Sequence, residues 1–266
     1  MKKMSNSQAK MVWGSSPEFY GPRHLFRVRM MADCLAQALP EGRVLDAGSG
    51  NGSLLVALAR RGYQVEGVDL SEALVRYARQ LIEREGLSHR AKVKVGDVTR
   101  LDYPDGCFDG LTSGEVLEHV RDHERAVGEF HRVLRPGGVC VITVPAHRRR
   151  YDWLDEWAGH WRRYEKDELR ELFERAGFEV DLLRYWGFPF MSIYHRLVHK
   201  PILRRKALRP DDDAVLTMAA GLGRNPLLVR VACALFKLDR LFAWAPWGVG
   251  LLLRARRKED DEQGNE

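Results

Sequence analysis

The sequence predicts an α/β fold built on a mainly parallel sheet. Short apolar runs typical of buried strands alternate along the chain with segments whose apolar residues recur at helical spacing. The clearest example is a strand pattern at 43–47, which is followed by a glycine-rich turn, a helical pattern at 53–61 and a second strand pattern at 64–69. This alternation is typical of βαβ units, whose strands lie parallel to one another.

The remaining elements continue the alternation. Ser71 is suited to cap the helix that follows the second strand, and Gly86 ends the apolar stripe of that helix. The Pro136-Gly137-Gly138 segment stops a later helix just before a run rich in β-branched residues. Further strands are predicted at 92–96, 108–112, 139–144, 178–185 and 249–253, and further helices at 122–134 and 166–176.

The composition is that of a globular protein. The chain has 266 residues, of which 45% are hydrophobic and 30% charged, and its formal net charge is +6. Its four cysteines form no CxxC pair, which argues against a zinc site made by cysteines. The first ten residues lack the apolar core of a secretion signal, and no apolar run reaches the roughly 20 residues needed to span a bilayer. We therefore expect a cytoplasmic protein without a transmembrane segment.

The order of these patterns divides the chain into five parts. We expect an N-terminal helical lid at 1–40, a core at 41–186, a helical insertion at 187–247, a last core strand at 248–257 and a disordered tail at 258–266. Within the insertion, the apolar positions of 227–242 run almost all the way round a helix. This pattern favours burial of that helix over contact with a membrane surface.

The glycine-rich turn after the first strand predicts a nucleoside-bearing ligand. Glycines at alternate positions from Gly48 to Gly52 let the backbone pass close to a ligand without clashes at Cβ. Asp69 ends the second strand about 20 residues later, where a carboxylate is suited to accept both hydroxyl groups of a ribose. Asp46, just before the turn, would repel a pyrophosphate but suits a ligand that carries an ammonium and a sulfonium group. The spacing therefore favours S-adenosylmethionine over NAD.

The sequence resembles the class I S-adenosylmethionine-dependent methyltransferases, and among them relatives of the ubiquinone-type small-molecule enzymes. The resemblance rests on segments that follow the family's order. They are the turn at 44–52 with Asp69, the 95–98 segment, Phe108-Asp109 at the start of the fourth strand, the 113–120 segment after that strand, and the 134–138 turn. It implies a Rossmann-like seven-stranded sheet of order 3-2-1-4-5-7-6, with strand 7 antiparallel and helices on both faces. The 249–253 strand pattern suits that last role.

The resemblance also implies how the cofactor is bound. The glycine-rich turn surrounds the methionine moiety above Asp46, Asp69 holds the ribose, Leu70 and Val98 pack on the adenine, and Asp97 meets its amino group. The segment after strand four lines the floor near the reactive methyl group. The implied cofactor residues are Asp46, Gly48, Ser49, Gly50, Gly52, Asp69, Leu70, Asp97, Val98, Ser113, Gly114 and Glu115.

The acceptor side of the site is harder to predict. Methyl transfer is an in-line displacement at the sulfonium carbon, and it requires mainly alignment of the acceptor and exclusion of water. A general base is optional, and His119 and His160 are the candidates. Glu115, Glu118 and His119 would share one face of a helix and bind a divalent metal, as similar stretches do in some small-molecule and RNA-end methyltransferases. The simpler interpretation, a polar turn that closes the cofactor pocket without a metal, is favoured.

Two further segments are candidates for a lid. His160, Arg163 and Tyr164 lie in a 159–164 loop that resembles one folding over the active site in ubiquinone-type relatives. At the N-terminus, Tyr20, Arg23 and His24 belong to a possible lid helix whose cations would reach the cofactor carboxylate. The simpler interpretation of the 159–164 loop is that these side chains only anchor the loop. The simpler interpretation of the N-terminal segment is that its arginines are solvated.

The class of methyl acceptor is narrowed mainly by motifs that the sequence lacks. No NPPY or DPPY motif follows the fourth strand, and no Pro-Cys nucleophile is present, which disfavours methylation of nucleobases. We expect the methyl group to be transferred to a small molecule that is partly apolar or phosphate-bearing. The expected acceptor atom is oxygen, and nitrogen and carbon remain alternatives. The basic clusters keep an RNA, protein or lipid-linked acceptor as an alternative. A non-catalytic cofactor-binding subunit and, less favoured, a nicotinamide oxidoreductase complete the alternatives.

Overall fold

The computed structural model describes residues 21–208 and 226–259, and they contain a seven-stranded sheet of order β3-β2-β1-β4-β5-β7-β6. The predicted strand order is confirmed. The strands are β1 (Arg43–Ala47), β2 (Gln64–Asp69), β3 (Ala91–Val95), β4 (Phe108–Gly114), β5 (Leu134–Pro145), β6 (Phe178–Trp186) and β7 (Gly250–Arg257).

The directions of the strands determine which edge of the sheet carries the site. The first five strands pair in parallel, whereas β7 is antiparallel to both of its neighbours, β5 and β6, as predicted. The carboxyl ends of β1, β2, β4 and β5 therefore meet at one edge of the sheet. Asp46, Asp69 and Gly114 are carried to this edge because each lies in the last two residues of its strand. Ligands in open α/β sheets bind in the crevice outside this edge.

The described residues contain nine α-helices, and apolar side chains fill the space on both faces of the sheet. One apolar layer contains residues of α1, α2 and α3, and the other contains residues of α4 and α6. The helices are α1 (Pro22–Ala36), α2 (Ser53–Ala59), α3 (Glu72–Arg84), α4 (His123–Val133), α5 (Trp153–Ala158), α6 (Lys166–Arg175), α7 (Phe190–Tyr194), α8 (Lys200–Leu208) and α9 (Pro226–Lys237).

Strand β5 begins earlier than its sequence pattern predicts. The β-branched run starts at Val139, but the strand starts at Leu134, which pairs with Phe108 before the register shifts. Gly137 has a φ of +72°, a conformation that glycine adopts without strain, and it lies in this irregular stretch. The Pro-Gly-Gly segment therefore forms a bulge within a strand rather than a turn that precedes one.

The described residues of the insertion between β6 and β7 are mainly helical. They comprise α7, a π-helical stretch (His195–His199), α8, α9 and a short 3₁₀ helix (Leu238–Phe242). Asp239 of the 3₁₀ helix accepts hydrogen bonds from the backbone N–H groups of Phe190 (2.9 Å) and Met191 (3.2 Å) at the start of α7. One buried carboxylate thus joins the two ends of the insertion.

Helix α9 is buried on one face only. Val229, Cys233 and Phe236 are buried, and the ring of Phe236 packs edge-on against Phe26 of α1 at 5.9 Å between centroids. Val231 lies on the opposite, exposed face. The prediction that this helix is buried is therefore right for half of its surface. In the described ranges, none of the helices has the length and apolar character needed to cross a bilayer.

Candidate functional site

A large cavity opens at the carboxyl edge of the sheet. Its volume is about 1370 Å³, which exceeds the roughly 300–1,000 Å³ typical of a pocket for one small ligand. The ends of β1, β2 and β4 form its floor, α1 covers one side, and α5 with α7 and α8 form the other. Of the residues predicted to bind the cofactor, those that line it are Asp46, Gly48, Ser49, Gly50, Asp69, Leu70, Val98, Gly114 and Glu115.

The glycine-rich turn is shaped to bring backbone close to a ligand. The N–H groups of Gly48 and Ser49 both donate to the carbonyl of Val68, which locks the turn against β2. A Cβ at Gly48 would clash with the side chain of Val116, whereas nothing described lies within 4 Å of a Cβ built at Gly50. Gly50, with a φ of +53°, therefore borders open cavity space where a ligand is free to approach the main chain.

Asp69 is held in a fixed orientation by the backbone. One carboxylate oxygen accepts from the N–H of Gly50 and the other from the N–H of Ser71, both at 2.9 Å. Burial raises the pKa of Asp69 above its ordinary value, although these two hydrogen bonds oppose the shift. Each oxygen keeps further acceptor capacity for a hydroxyl group. Leu70 beside it is 69% exposed and lines the cavity, which provides an apolar surface for a flat ring.

Asp46 lies beneath the turn and is almost fully buried. Its Oδ1 accepts a hydrogen bond from the hydroxyl of Thr112 at 2.8 Å. Burial raises the pKa of Asp46 to about 7, and the charge of Asp69 adds to the shift. A carboxylate that is costly to ionise in the empty pocket would gain stability from a cationic ligand. The buried hydroxyl of Ser49 also has no hydrogen-bond partner among the described residues, so the cradle offers donor and acceptor groups that a polar ligand would satisfy.

Three residues predicted to bind the cofactor do not line the cavity. Gly52 lies at the start of α2, where a Cβ would meet Ala78 of α3 at 2.9 Å, so glycine is required there for helix packing. Asp97 uses one carboxylate oxygen to accept from the N–H and hydroxyl of Thr99. Ser113 is buried in the sheet and donates its hydroxyl to the carbonyl of Ala47 at 2.8 Å. Their predicted contacts with the cofactor stay predictions.

Glu115 is paired with helix α1. Its carboxylate lies 3.0 Å from Arg23 and 3.6 Å from Arg27 of α1. Burial alone would raise the pKa of Glu115, but the two guanidinium groups outweigh it and lower the pKa. Glu115 has a φ of +59°, which is unusual for a residue with a side chain. Among the predicted lid residues, Arg23 and His24 both line the cavity, and Tyr20 lies outside the described residues.

The structure corrects the predicted metal grouping. Only Leu117–His119 forms a turn of helix, and Glu115 is not part of it, so Glu115 does not share a helical face with Glu118 and His119. Instead, one ligand atom each from Glu118, His119 and His160 lies within 4.8 Å of the other two. The rings of the two histidines pack edge to face at 4.6 Å between centroids. Neither carboxylate oxygen of the fully buried Glu118 has a partner among the described residues.

The loop at 159–164 is anchored by Asp155 of α5, which the sequence analysis missed. One oxygen of this buried carboxylate lies 2.8 Å from both His160 Nδ1 and Arg163 Nε. Burial opposes ionisation of Asp155, but its hydrogen bonds to His160 and Arg163 lower its pKa to about 2. His160 and Arg163 line the cavity, and their roles as acceptor or lid residues stay predictions. Tyr164 does not, because its buried hydroxyl lies 2.9 Å from His123 Nδ1 and 3.2 Å from the carbonyl of Leu117.

The cavity also contains residues that sequence patterns did not identify. His195 and His199 of the insertion line it, and burial lowers their pKa values to about 2 and about 3. Arg27 was missed as well, although it lies four residues after Arg23 and hence on the same face of α1. Asp155 could have been found from the Asp-x-x-Asp capping pattern at 152–155, which fixes the start of α5.

Comparison with known proteins agrees with this arrangement. Residues 45–142 match the family described as methyltransferase domain. The chain is 30% identical over 175 residues to a demethylmenaquinone methyltransferase from Geobacillus stearothermophilus, which covers 54% of this chain and 74% of that protein. It is 38% identical over 119 residues to a ubiquinone biosynthesis O-methyltransferase from Alkalilimnicola ehrlichii, covering 44% of this chain and 47% of that one.

Solved structures of other proteins share the fold. A putative sarcosine dimethylglycine methyltransferase from Galdieria sulphuraria superposes with a TM-score of 0.64 at 17% identity, over 88% of this chain and 86% of that one. The chain spans 36% to 52% of the length of several other curated relatives. The sequence match, the strand order and the cradle at the sheet edge agree, and the chain belongs to the class I S-adenosylmethionine-dependent methyltransferases.

Proposed function

We propose that this chain binds S-adenosylmethionine and transfers its methyl group to an oxygen of a small molecule. The observation that carries the proposal is that the glycine cradle with Asp69 and the His119–His160 pair line one continuous cavity. The volume of that cavity leaves room for a second ligand beside a nucleoside.

Residues at the sheet edge would hold the cofactor. Asp69 accepts the ribose hydroxyls, Leu70 packs on the adenine, and Asp46 faces the cationic methionine end. When bound, S-adenosylmethionine supplies a methyl group on a sulfonium sulfur, which is already a good leaving group. The protein then needs mainly to align the acceptor and to keep water out. Helix α1, tied to Glu115 by Arg23, covers this part of the cavity.

The histidine pair supports transfer to oxygen. Burial lowers the pKa of His119 to about 4, so its ring is neutral near pH 7 and able to accept the proton of an acceptor hydroxyl. Asp155 orients the ring of His160 beside it. General acid–base catalysis typically contributes about 10²- to 10⁴-fold to a rate.

The far wall suits an acceptor with an apolar body and an anionic group. Phe188, Ile202 and Leu203 contribute apolar surface to the cavity, and nearby cations also line it. These cations are Arg149, Arg150, Arg163, Arg196 and Lys200. A phenol or related hydroxyl compound that carries a phosphate or carboxylate fits this combination.

A transfer assay tests the proposal. The purified chain is incubated with S-adenosylmethionine labelled in the methyl group, and with hydroxyl acceptors that differ in apolar chain and anionic group, alongside a whole metabolite extract. We expect label in a product with a new O–CH₃ group, and about 10²-fold or greater loss in His119→Asn. The exposed His89→Asn variant is the matched control and should retain full activity. Label that remains entirely on the cofactor, with all acceptors, would contradict catalysis.

A further inference from the structure

We propose that the insertion between β6 and β7 docks on the surface of an anionic lipid bilayer. Exposed large apolar side chains are concentrated in this part of the chain. Outside the insertion, the large apolar side chains exposed in the described residues are Leu70, Val95, Tyr151 and Trp161. Within it they are Ile193, Leu197, Val198, Leu208, Leu227, Leu228, Val231, Leu235, Leu238, Leu241, Trp244 and Trp247. Single exposed apolar side chains are ordinary, but a concentration of them marks an interaction site.

Helix α9 is apolar on two opposite faces. Its buried face is held against α1 by Cys233 and Phe236. On the other face, Leu228, Val231 and Leu235 recur at helical spacing and are each about half exposed. A surface helix normally presents polar residues on the face opposite its core contacts. The second apolar face of α9 is therefore suited to contact with an apolar partner.

The exposed apolar surface continues beyond α9 into the end of the insertion. Leu241 is 71% exposed and Trp244 is 80% exposed, the largest values among these side chains. Tryptophan is enriched at membrane interfaces, where its ring packs in the apolar layer while its N–H remains hydrated. An interfacial helix buries its apolar face about 5–10 Å into the boundary between head groups and acyl chains. Contact of this depth would cover both side chains.

The charge of the insertion suits an anionic surface. Asp239 is the one acidic residue among its described residues, and it is buried against the start of α7. The exposed basic side chains of the insertion are Arg196, Arg204, Arg205, Arg230, Lys237 and Arg240. Helical spacing places Arg230 and Lys237 on the flank of α9, between its two apolar faces. Cations beside an apolar face attract anionic lipids, whereas pairing of two copies through this face would bring like charges together.

The insertion also forms part of the wall of the cavity. Phe188 lines the cavity, and its ring lies 5.3 Å from the ring of Trp247, which is half exposed. Arg196 lines the cavity as well, and its neighbour Leu197 is 68% exposed. An apolar chain can therefore pass from a bilayer along Trp247 and Phe188 into the cavity. This step rests on the proposed function, and it specifies the acceptor as a membrane-resident molecule with an apolar chain.

Co-sedimentation of the full chain with lipid vesicles tests the docking, in the absence of cofactor and acceptor. Vesicles of phosphatidylcholine alone are compared with vesicles that also contain phosphatidylglycerol, at low and at high salt. We expect binding to the anionic vesicles that weakens as salt rises, because screening reduces the contribution of the cations. Leu241→Ser combined with Trp244→Ser, and Arg230→Gln combined with Lys237→Gln, should each weaken this binding by at least about 10-fold.

Two variants outside the insertion are the matched controls. Val95→Ser removes an exposed apolar side chain from β3, and Arg76→Gln removes an exposed cation from α3. Both should bind the anionic vesicles like the wild type. Failure of the wild type to bind these vesicles, or equal binding by the wild type and both double variants, would overturn the proposal.

Light scattering without vesicles tests the other possible cover of the apolar face, a second copy of the chain. A dimer that dissociates when Leu241→Ser is combined with Trp244→Ser would also overturn the proposal. The transfer assay with water-soluble acceptors and no vesicles reports the proposed function separately. Failure of membrane docking is therefore distinguishable from failure of methyl transfer.

Discussion

Ionised Asp46 destabilises the folded protein when no ligand is bound, and it is suited to face a cationic ligand when one is bound. Burial raises its pKa from 3.8 to about 7. Between these two pH values the folded chain keeps a proton on Asp46 that the unfolded chain has already released. The stability that this proton contributes is complete below about pH 4 and is lost as pH rises through 7. Ionised Asp46 near pH 8 is thus destabilising without a cationic ligand nearby.

This argument predicts the behaviour of Asp46→Asn. The amide keeps an acceptor for the Thr112 hydroxyl but cannot ionise. Without cofactor, the variant should become more stable than the wild type as pH rises from 5 to 8, by at most about 4 kcal/mol. S-adenosylhomocysteine should stabilise the variant less than it stabilises the wild type. Urea unfolding across this pH range measures both effects, with the exposed Asp102→Asn as control. Parallel pH profiles for wild type and Asp46→Asn would contradict the assignment.

At the scale of single elements, helix α1 depends on one acidic side chain. Glu115 is buried and pairs with two arginines from successive turns of α1. Replacing it by glutamine leaves two guanidinium groups without a counter-charge in a buried setting. Breaking a buried pair in this way typically costs about 3–5 kcal/mol.

We therefore expect Glu115→Gln to lower the free energy of unfolding by about 2–4 kcal/mol and to speed hydrogen exchange in α1. Glu72→Gln breaks an exposed pair with Arg76, and it should change stability by less than about 1 kcal/mol. Urea denaturation and mass-spectrometric hydrogen exchange measure the two effects. Equal costs for the two variants would show that Glu115 does not hold the lid helix.

Helix α7 depends similarly on Asp239. The carboxylate accepts from two N–H groups at the start of the helix, a role that a capping residue normally plays from the adjacent sequence. Asp239→Ala should cost about 1–2 kcal/mol and open the 187–199 segment to protease, whereas Asp239→Asn should cost less because one acceptor remains. Limited proteolysis with mapping of the cleavage sites checks this. Unchanged cleavage of Asp239→Ala would mean that other contacts fix the insertion.

At the scale of the whole molecule, local sequence patterns were sufficient to predict the elements of the core but not the arrangement of the acceptor side of the site. Strand and helix periodicity located all seven strands, because each buried strand carries its own apolar signature, whereas their order was implied by the resemblance to the methyltransferase family. The bulge at 135–138 was missed because it depends on pairing with β4 rather than on local preference.

The residues of the site likewise fall into those that the sequence could predict and those that it could not. Asp46, Gly50 and Asp69 lie at strand ends that the sequence locates, so their convergence was predictable. The pairing of Glu118 with His160 was not, because 41 intervening residues separate them and only the fold of the loop after α5 brings them together. The ion pairs of Glu115 with α1 span a still larger separation and carry no sequence periodicity.

The most direct test of the central claim is thermal unfolding of the wild type and Asp69→Ala with S-adenosylhomocysteine, S-adenosylmethionine and NADH. A ligand at about 100 times its dissociation constant adds roughly 2.7 kcal/mol to the native state, which corresponds to a rise of several degrees in Tm. We expect both adenosyl ligands to raise the Tm of the wild type, much less so that of Asp69→Ala, and NADH to have no effect. A wild type that responds to NADH and to neither adenosyl ligand would contradict the account.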